Sequence, residues 1–137
     1  MRQRDLLLDV TRLVWRVWSG RLPTGIDRVC LAYLGHYGPR ALAVVQRREI
    51  RLVLNERHSD QLFALLRQGG AGFRRKLIVL LTAAAVSRLS QQSTRGWTYL
   101  NIGHTGLDAA GLPGWLARQQ WKPVYLVHDL IPISHPE

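Results

Sequence analysis

The chain has 137 residues, 47% of them hydrophobic, and its 19 Lys and Arg against nine Asp and Glu give a formal charge of +10. That apolar fraction suits one ordinary globular domain, or part of one, and excludes a disordered chain. The single cysteine excludes an intrachain disulfide and a cysteine-cluster metal site, while the cation excess asks for an anionic partner: a phosphate-bearing substrate, an acidic membrane surface or nucleic acid.

All the cations except Lys76 and Lys122 are Arg. Arginine suits bidentate phosphate contacts, but a GC-rich genome produces the same bias and carries more weight. The opening MRQRDLLLDV holds only three consecutive leucines between Asp5 and Asp9, too short for an export signal, so a cytoplasmic setting is expected. The longest apolar run, 77–86, falls well below the ~18 residues that span a bilayer.

In chain order, residues 5–10 form a short apolar strand suited to a position covered on both faces. A loop follows, in which Gly, Pro and Thr of SGRLPTG break regular structure. A helix then runs from Ile26 to Tyr37, with Cys30 on its buried face as a core thiol. Residues 41–46 and 50–54 are two β-rich runs joined as a hairpin or meander. Ser59 caps a helix carrying Leu62, Phe63, Leu65 and Leu66, which the glycines of QGGAG end. A second helix over 74–89 is apolar nearly all round and reads as buried, with contact to anionic lipid through Arg74, Arg75 and Lys76 as the alternative. A strand at 97–102, a short helix at 113–120 and a strand at 123–127 complete the chain. The alternation predicts an α/β domain with a doubly wound, mostly parallel sheet.

Three loops converge on one edge of that sheet. In LPTGIDR, Gly25 permits close backbone approach beside Thr24, and the free amides of the following helix make an anion seat that Arg28 can reinforce. A turn with a surface arginine is the plain alternative. In NIGHTGLD, Asn101 and His104 offer hydrogen bonds to a sugar hydroxyl or phosphate, or else satisfy nearby backbone groups. In YLVHDLIPISHPE, His128 and Asp129 end an apolar strand where an α/β sheet lines its ligand crevice, either as a polar pair for chemistry or as a buried structural pair. The five histidines show no metal-ligand spacing, so no metal is expected.

Taken in order, LPTGIDRV, YLNIGHTGL and VYLVHDLIPISHPE resemble the amino-terminal domain of GT-B glycosyltransferases, in the retaining group that includes bacterial mannosyltransferases of surface-polysaccharide assembly. The resemblance covers nearly the whole chain and is most specific in HDLIPISHPE. It implies a Rossmann-like fold and transfer of a hexosyl group, mannosyl among the candidates, from a nucleotide sugar to a glycan or polyprenol-linked acceptor. No cofactor is implied beyond the nucleotide-sugar donor, which is a substrate. By position, Thr24 and Gly25 approach the donor diphosphate or the acceptor, His128 and Asp129 meet the reacting sugar as catalytic residues, and Arg28, Asn101 and His104 assist binding.

Members of that group hold the donor nucleotide mainly through a carboxyl-terminal domain whose glutamate pair this chain lacks. Residues 1–137 are therefore expected to be a truncated, acceptor-side amino-terminal domain, inactive alone. Two non-enzymatic readings stand beside it. A basic membrane-surface or nucleotide-binding module would use Trp15, Arg16, Trp18, Arg21 and Arg74 to Lys76 against the cytoplasmic leaflet, and it can coexist with the first reading. Nucleic-acid binding ranks last, because no recognition motif accompanies the charge.

Overall fold

A computed structural model describes residues 3–22, 24–48, 50–87, 93–103 and 111–126. Five strands form one sheet: β1 (Leu6–Asp9), β2 (Ala41–Arg47), β3 (Ile50–Val53), β4 (Thr98–Asn101) and β5 (Lys122–Tyr125). Their spatial order is β3-β2-β1-β4-β5, parallel throughout except for β3, which pairs antiparallel with β2. The helices are α1 (Thr11–Ser19), α2 (Gly25–Tyr37), α3 (Glu56–Gln68), α4 (Phe73–Ser87) and α5 (Leu112–Gln119).

Side-chain alternation sorts the sheet's two faces. Leu6, Leu8, Ala41, Ala43 and Val45 meet α1 to α4 in the larger core, whereas Leu7, Leu42, Val44 and Tyr99 meet α5 and Trp121 in the smaller one. The central strand β1 is buried on both sides, which its unbroken leucines allow. Cys30 lies in the larger core with its Sγ 3.6 Å from the Ile102 carbonyl.

Three expectations are corrected. The segment after β1 is helix α1 rather than a loop, so LPTGIDR joins two helices instead of a strand to a helix. Val and Trp fill α1, residues with strand preference, and no turn residue separates it from β1. Its amphipathic pattern nevertheless buries Leu13 and Val14, and Gly20 closes it at φ 72°, a left-handed conformation that favours glycine. The cap of α3 is Asn55, whose Oδ1 accepts from the His58 amide at 2.8 Å. Ser59 instead sits inside α3, accepting from the Ala43 amide and donating to the Leu54 carbonyl, and so ties the helix to β2. Finally, α4 is not enclosed: Phe73, Leu77, Leu80 and Ala84 face the core while Ile78, Val79 and Val86 are exposed.

Candidate functional site at the carboxyl edge of the sheet

The chain leaves β1 toward β2 on one side and later crosses to β4 on the other, so the direction of winding reverses between β1 and β4. In such sheets ligands bind outside the carboxyl ends of the strands at that reversal. Here the strand ends are Asp9, Asn101 and Tyr125, held side by side by the register Asp9 to Asn101 and Asn101 to Tyr125.

On the α5 side of this edge lies a closed polar network. Asp9 is 3% exposed, and its Oδ1 accepts from the Thr11 amide at 3.0 Å and the Thr11 hydroxyl at 2.6 Å. Its Oδ2 accepts from Gln46 Nε2 and from the Tyr99 hydroxyl. That hydroxyl accepts in turn from Gln46 Nε2 at 3.0 Å and Asn101 Nδ2 at 3.2 Å. The Gln46 amide donates to the Thr11 hydroxyl at 2.9 Å, which links β2 to the start of α1. Burial raises the Asp9 pKa above its ordinary value, opposed by the bonds from Thr11, Tyr99 and Gln46. Burial, with Asp9 beside it, also raises Tyr99, which therefore stays a phenol. The network fastens the ends of β1, β2 and β4 together at the carboxyl edge of the sheet.

On the opposite side lies a cavity of about 440 Å³ lined by Arg12, Arg16, Arg21, Thr24 and Asp27 together with Trp15, Ser19 and Leu22. Thr24 is the N-cap of α2 and forms a reciprocal capping box with Asp27: the Thr24 amide and hydroxyl donate to Asp27 Oδ2, and Thr24 Oγ1 accepts from the Asp27 amide. Arg12 Nε lies 3.1 Å from Asp27 Oδ1, and Arg16 Nε 3.9 Å from Oδ2. Burial alone would push Asp27 up, but the Thr24 bonds and Arg12 outweigh it and hold its carboxyl below the ordinary value. The amino end of α2 thus carries its own carboxylate, and attraction for an incoming anion comes from the arginines more than from bare helix amides.

Arg12 also joins the two sides. A Cβ on Gly103 would stand 2.6 Å from the Arg12 Cβ, so the chain leaving β4 rests directly on the arginine that holds Asp27. The TGIDR and NIG segments therefore meet through one side chain. Gly25 opens α2 in an exposed position, and a Cβ there would meet nothing within 4 Å, which leaves room for a ligand at its backbone. Arg28 is exposed on α2 and is not among the described residues lining the cavity. Asn101 is fully buried in β4 and faces Tyr99, so it acts through the network and not at the surface. His104, His128 and Asp129 lie outside the described residues. Strand β5 runs parallel to β4 and ends at the same edge, where the Leu126 amide donates to the Asn101 carbonyl at 3.2 Å.

Asp9, Thr11, Arg12 and Gln46 lie in no motif of the sequence, and Asp27 and Tyr99, although they fall within LPTGIDR and YLNIGHTGL, are not singled out there as site residues. A subtler signal exists for three of them, since Asp9, Gln46 and Tyr99 share the parity of Leu7, Val44 and Leu42 and therefore one face of the sheet. Among the described residues no three His, Cys, Asp or Glu side chains are placed to hold a metal ion. No protein-family model, curated protein or solved structure matches this chain.

Proposed function

We propose that this chain is the acceptor-side, Rossmann-like domain of a retaining, nucleotide-sugar-dependent glycosyltransferase of the GT-B kind, acting on a glycan or lipid-linked glycan. The observation that carries the reading is the meeting of TGIDR and NIG across Arg12 at the reversal between β1 and β4. Two of the three motifs in the resemblance come from distant parts of the chain, and they adjoin at the edge where an α/β sheet takes its ligand. The third follows β5, which ends at that same edge.

In this reading the departing nucleoside diphosphate is drawn by Arg12, Arg16 and Arg21, whose combined charge exceeds that of Asp27. The backbone at Gly25 gives close approach, Arg28 stands exposed in the first turn of α2 outside the cavity lining and so adds at most long-range attraction, and the Asp9 network holds the ends of β1, β2 and β4 together. His128 and Asp129, with His104, take in this reading the roles that the resemblance implies, meeting the reacting sugar and assisting its binding. An oxocarbenium-like transition state needs stabilisation on both sides of the breaking bond, so a donor-binding partner domain completes the catalyst.

Thermal-shift and calorimetric titration of the 137-residue chain with nucleoside-diphosphate hexoses and simple hexosides tests the reading. Weak binding without turnover is expected, diminished in Arg12→Gln and Gly25→Ala. Turnover by the chain alone, or ligand binding indifferent to both substitutions, contradicts it.

A further inference from the structure

Helix α4 stands as a ridge between two open grooves. The first, about 570 Å³, runs between α4 and the β2–β3 hairpin and is lined by Trp15, Trp18, Ile50, Leu52, Ile78 and Val86, among others. The second, about 610 Å³, lies toward α3 and combines Val79 and Leu80 with Arg57, Arg75 and Lys76. Ile50 is 71% exposed, Val79 64% and Val86 77%, a concentration of apolar surface that needs a cover. Thr82, on the same ridge, returns its hydroxyl to the Ile78 carbonyl at 2.7 Å and so offers a methyl group outward.

The described charged residues that line the two grooves have one sign. No described residue lining either groove is Asp or Glu. The chain's described acids are engaged elsewhere: Asp5 with Arg40, Asp27 with Arg12, Asp60 and Glu56 with Arg4, and Asp9 in its buried network. Among the described residues Arg47, Arg57, Arg74, Arg75 and Lys76 form no ion pair. Arg74, Arg75 and Lys76 also occupy the first turn of α4, where the helix dipole disfavours cations; Arg74 donates to the Trp18 carbonyl at 2.9 Å and so ties α4 to α1, whereas helix stability does not account for Arg75 and Lys76. Arg47 lies over Trp15 at 5.1 Å and Arg74 over Trp18 at 5.2 Å, pairing a cation with an aromatic ring along the first groove. Arg16 and Arg21, grouped with the tryptophans in the sequence, line the cavity beside Thr24 instead.

We propose that α4 and its two grooves dock on an anionic lipid bilayer, the cations meeting headgroup phosphates while Ile78, Val79 and Val86 enter the interfacial layer. No described helix is long and apolar enough to cross a membrane, so the contact is peripheral. The proposal is independent of the glycosyltransferase reading, and either can fail alone.

Co-sedimentation of the full chain with phosphatidylcholine vesicles, with and without phosphatidylglycerol, is the test. Binding is expected only with the anionic lipid, and Arg74→Gln/Arg75→Gln/Lys76→Gln lowers it on the order of 100-fold. Arg95→Gln/Arg118→Gln/Lys122→Gln, with the same change in net charge, costs much less. Ile78→Ser/Val86→Ser, at exposed positions and verified by thermal melting to fold, removes the binding that survives high salt. Equal binding to neutral vesicles, equal loss in both glutamine triples, or indifference to the serine pair overturns the proposal. So does concentration-dependent self-association that the serine pair abolishes, or displacement from vesicles by single-stranded RNA at equal charge.

Discussion

Replacing Tyr99 by Phe isolates what the buried network contributes. The ring stays, with its stacking on Trp121 at 5.8 Å between centroids and 8° between planes, so packing is preserved and only the hydroxyl is lost. That hydroxyl donates to Asp9 and accepts from Gln46 and Asn101. A hydrogen bond to a charged group contributes about 1.5–3 kcal/mol and a neutral one about 0.5–1.5, so the cost is about 2–3 kcal/mol with Asp9 ionised and about 1 kcal/mol with it protonated. The pH dependence follows from linkage. Asp9 has a folded pKa above its unfolded value of 3.8, so the stability tied to its protonated form is complete below 3.8 and is lost as pH rises through the folded value. Losing the Tyr99 bond raises that folded value further, so the gap between wild type and Tyr99→Phe widens as pH increases. Urea unfolding at about pH 4 and about pH 8 measures it, and a 2 kcal/mol gap corresponds to a Tm shift of roughly 6–8 °C for a domain of this size. A gap that is the same at both pH values, or larger in acid, would refute the assignment of Asp9 to this network.

Gly103→Ala forces its new Cβ against the Arg12 stem and should destabilise by about 1–3 kcal/mol in thermal or chemical unfolding, whereas Gly25→Ala meets open space and should leave stability unchanged. Asp27, with its pKa lowered below 3.8, adds stability that is present above 3.8 and is lost as pH falls through the folded value; Asp27→Asn should therefore be less stable at neutral pH and converge with wild type in acid, as followed by circular dichroism. The Cys30 thiol, pushed up to about 11 by burial, should resist alkylation at neutral pH until denaturant is added, as mass spectrometry can follow.

Much of the architecture is legible in the sequence because apolar runs and breakers coincide with element ends. Residues 41–46 and 50–54 form the hairpin expected of them, and α2, α5 and the parallel strands fall within a residue or two of their predicted spans. Helix α1 is illegible to propensity: its Val and Trp residues suggest extended chain, and only the spacing of Leu13, Val14, Val17 and Trp18 betrays a helix. The exposure of α4 cannot be read either, since a helix apolar all round does not declare which stripe meets the core.

At the site, the rule that selects His128 and Asp129, a polar residue at the end of an apolar strand, applies equally to Leu6–Asp9 and points to Asp9 as well. Arg12 has no sequence signal at all. Its importance comes from packing, because it spans Gly103 and Asp27, which lie 76 residues apart in the chain.

The proposed sugar site lies at the edge between β1 and β4. Amide chemical-shift mapping of the isotope-labelled chain, titrated with nucleoside-diphosphate hexoses and simple hexosides, tests it most directly. Shifts that cluster at Thr24, Gly25, Asp27, Gly103 and Tyr125 and that weaken in Gly25→Ala are expected. Shifts confined to α4 or α5, or none at ligand concentrations that saturate weak sites, would contradict it.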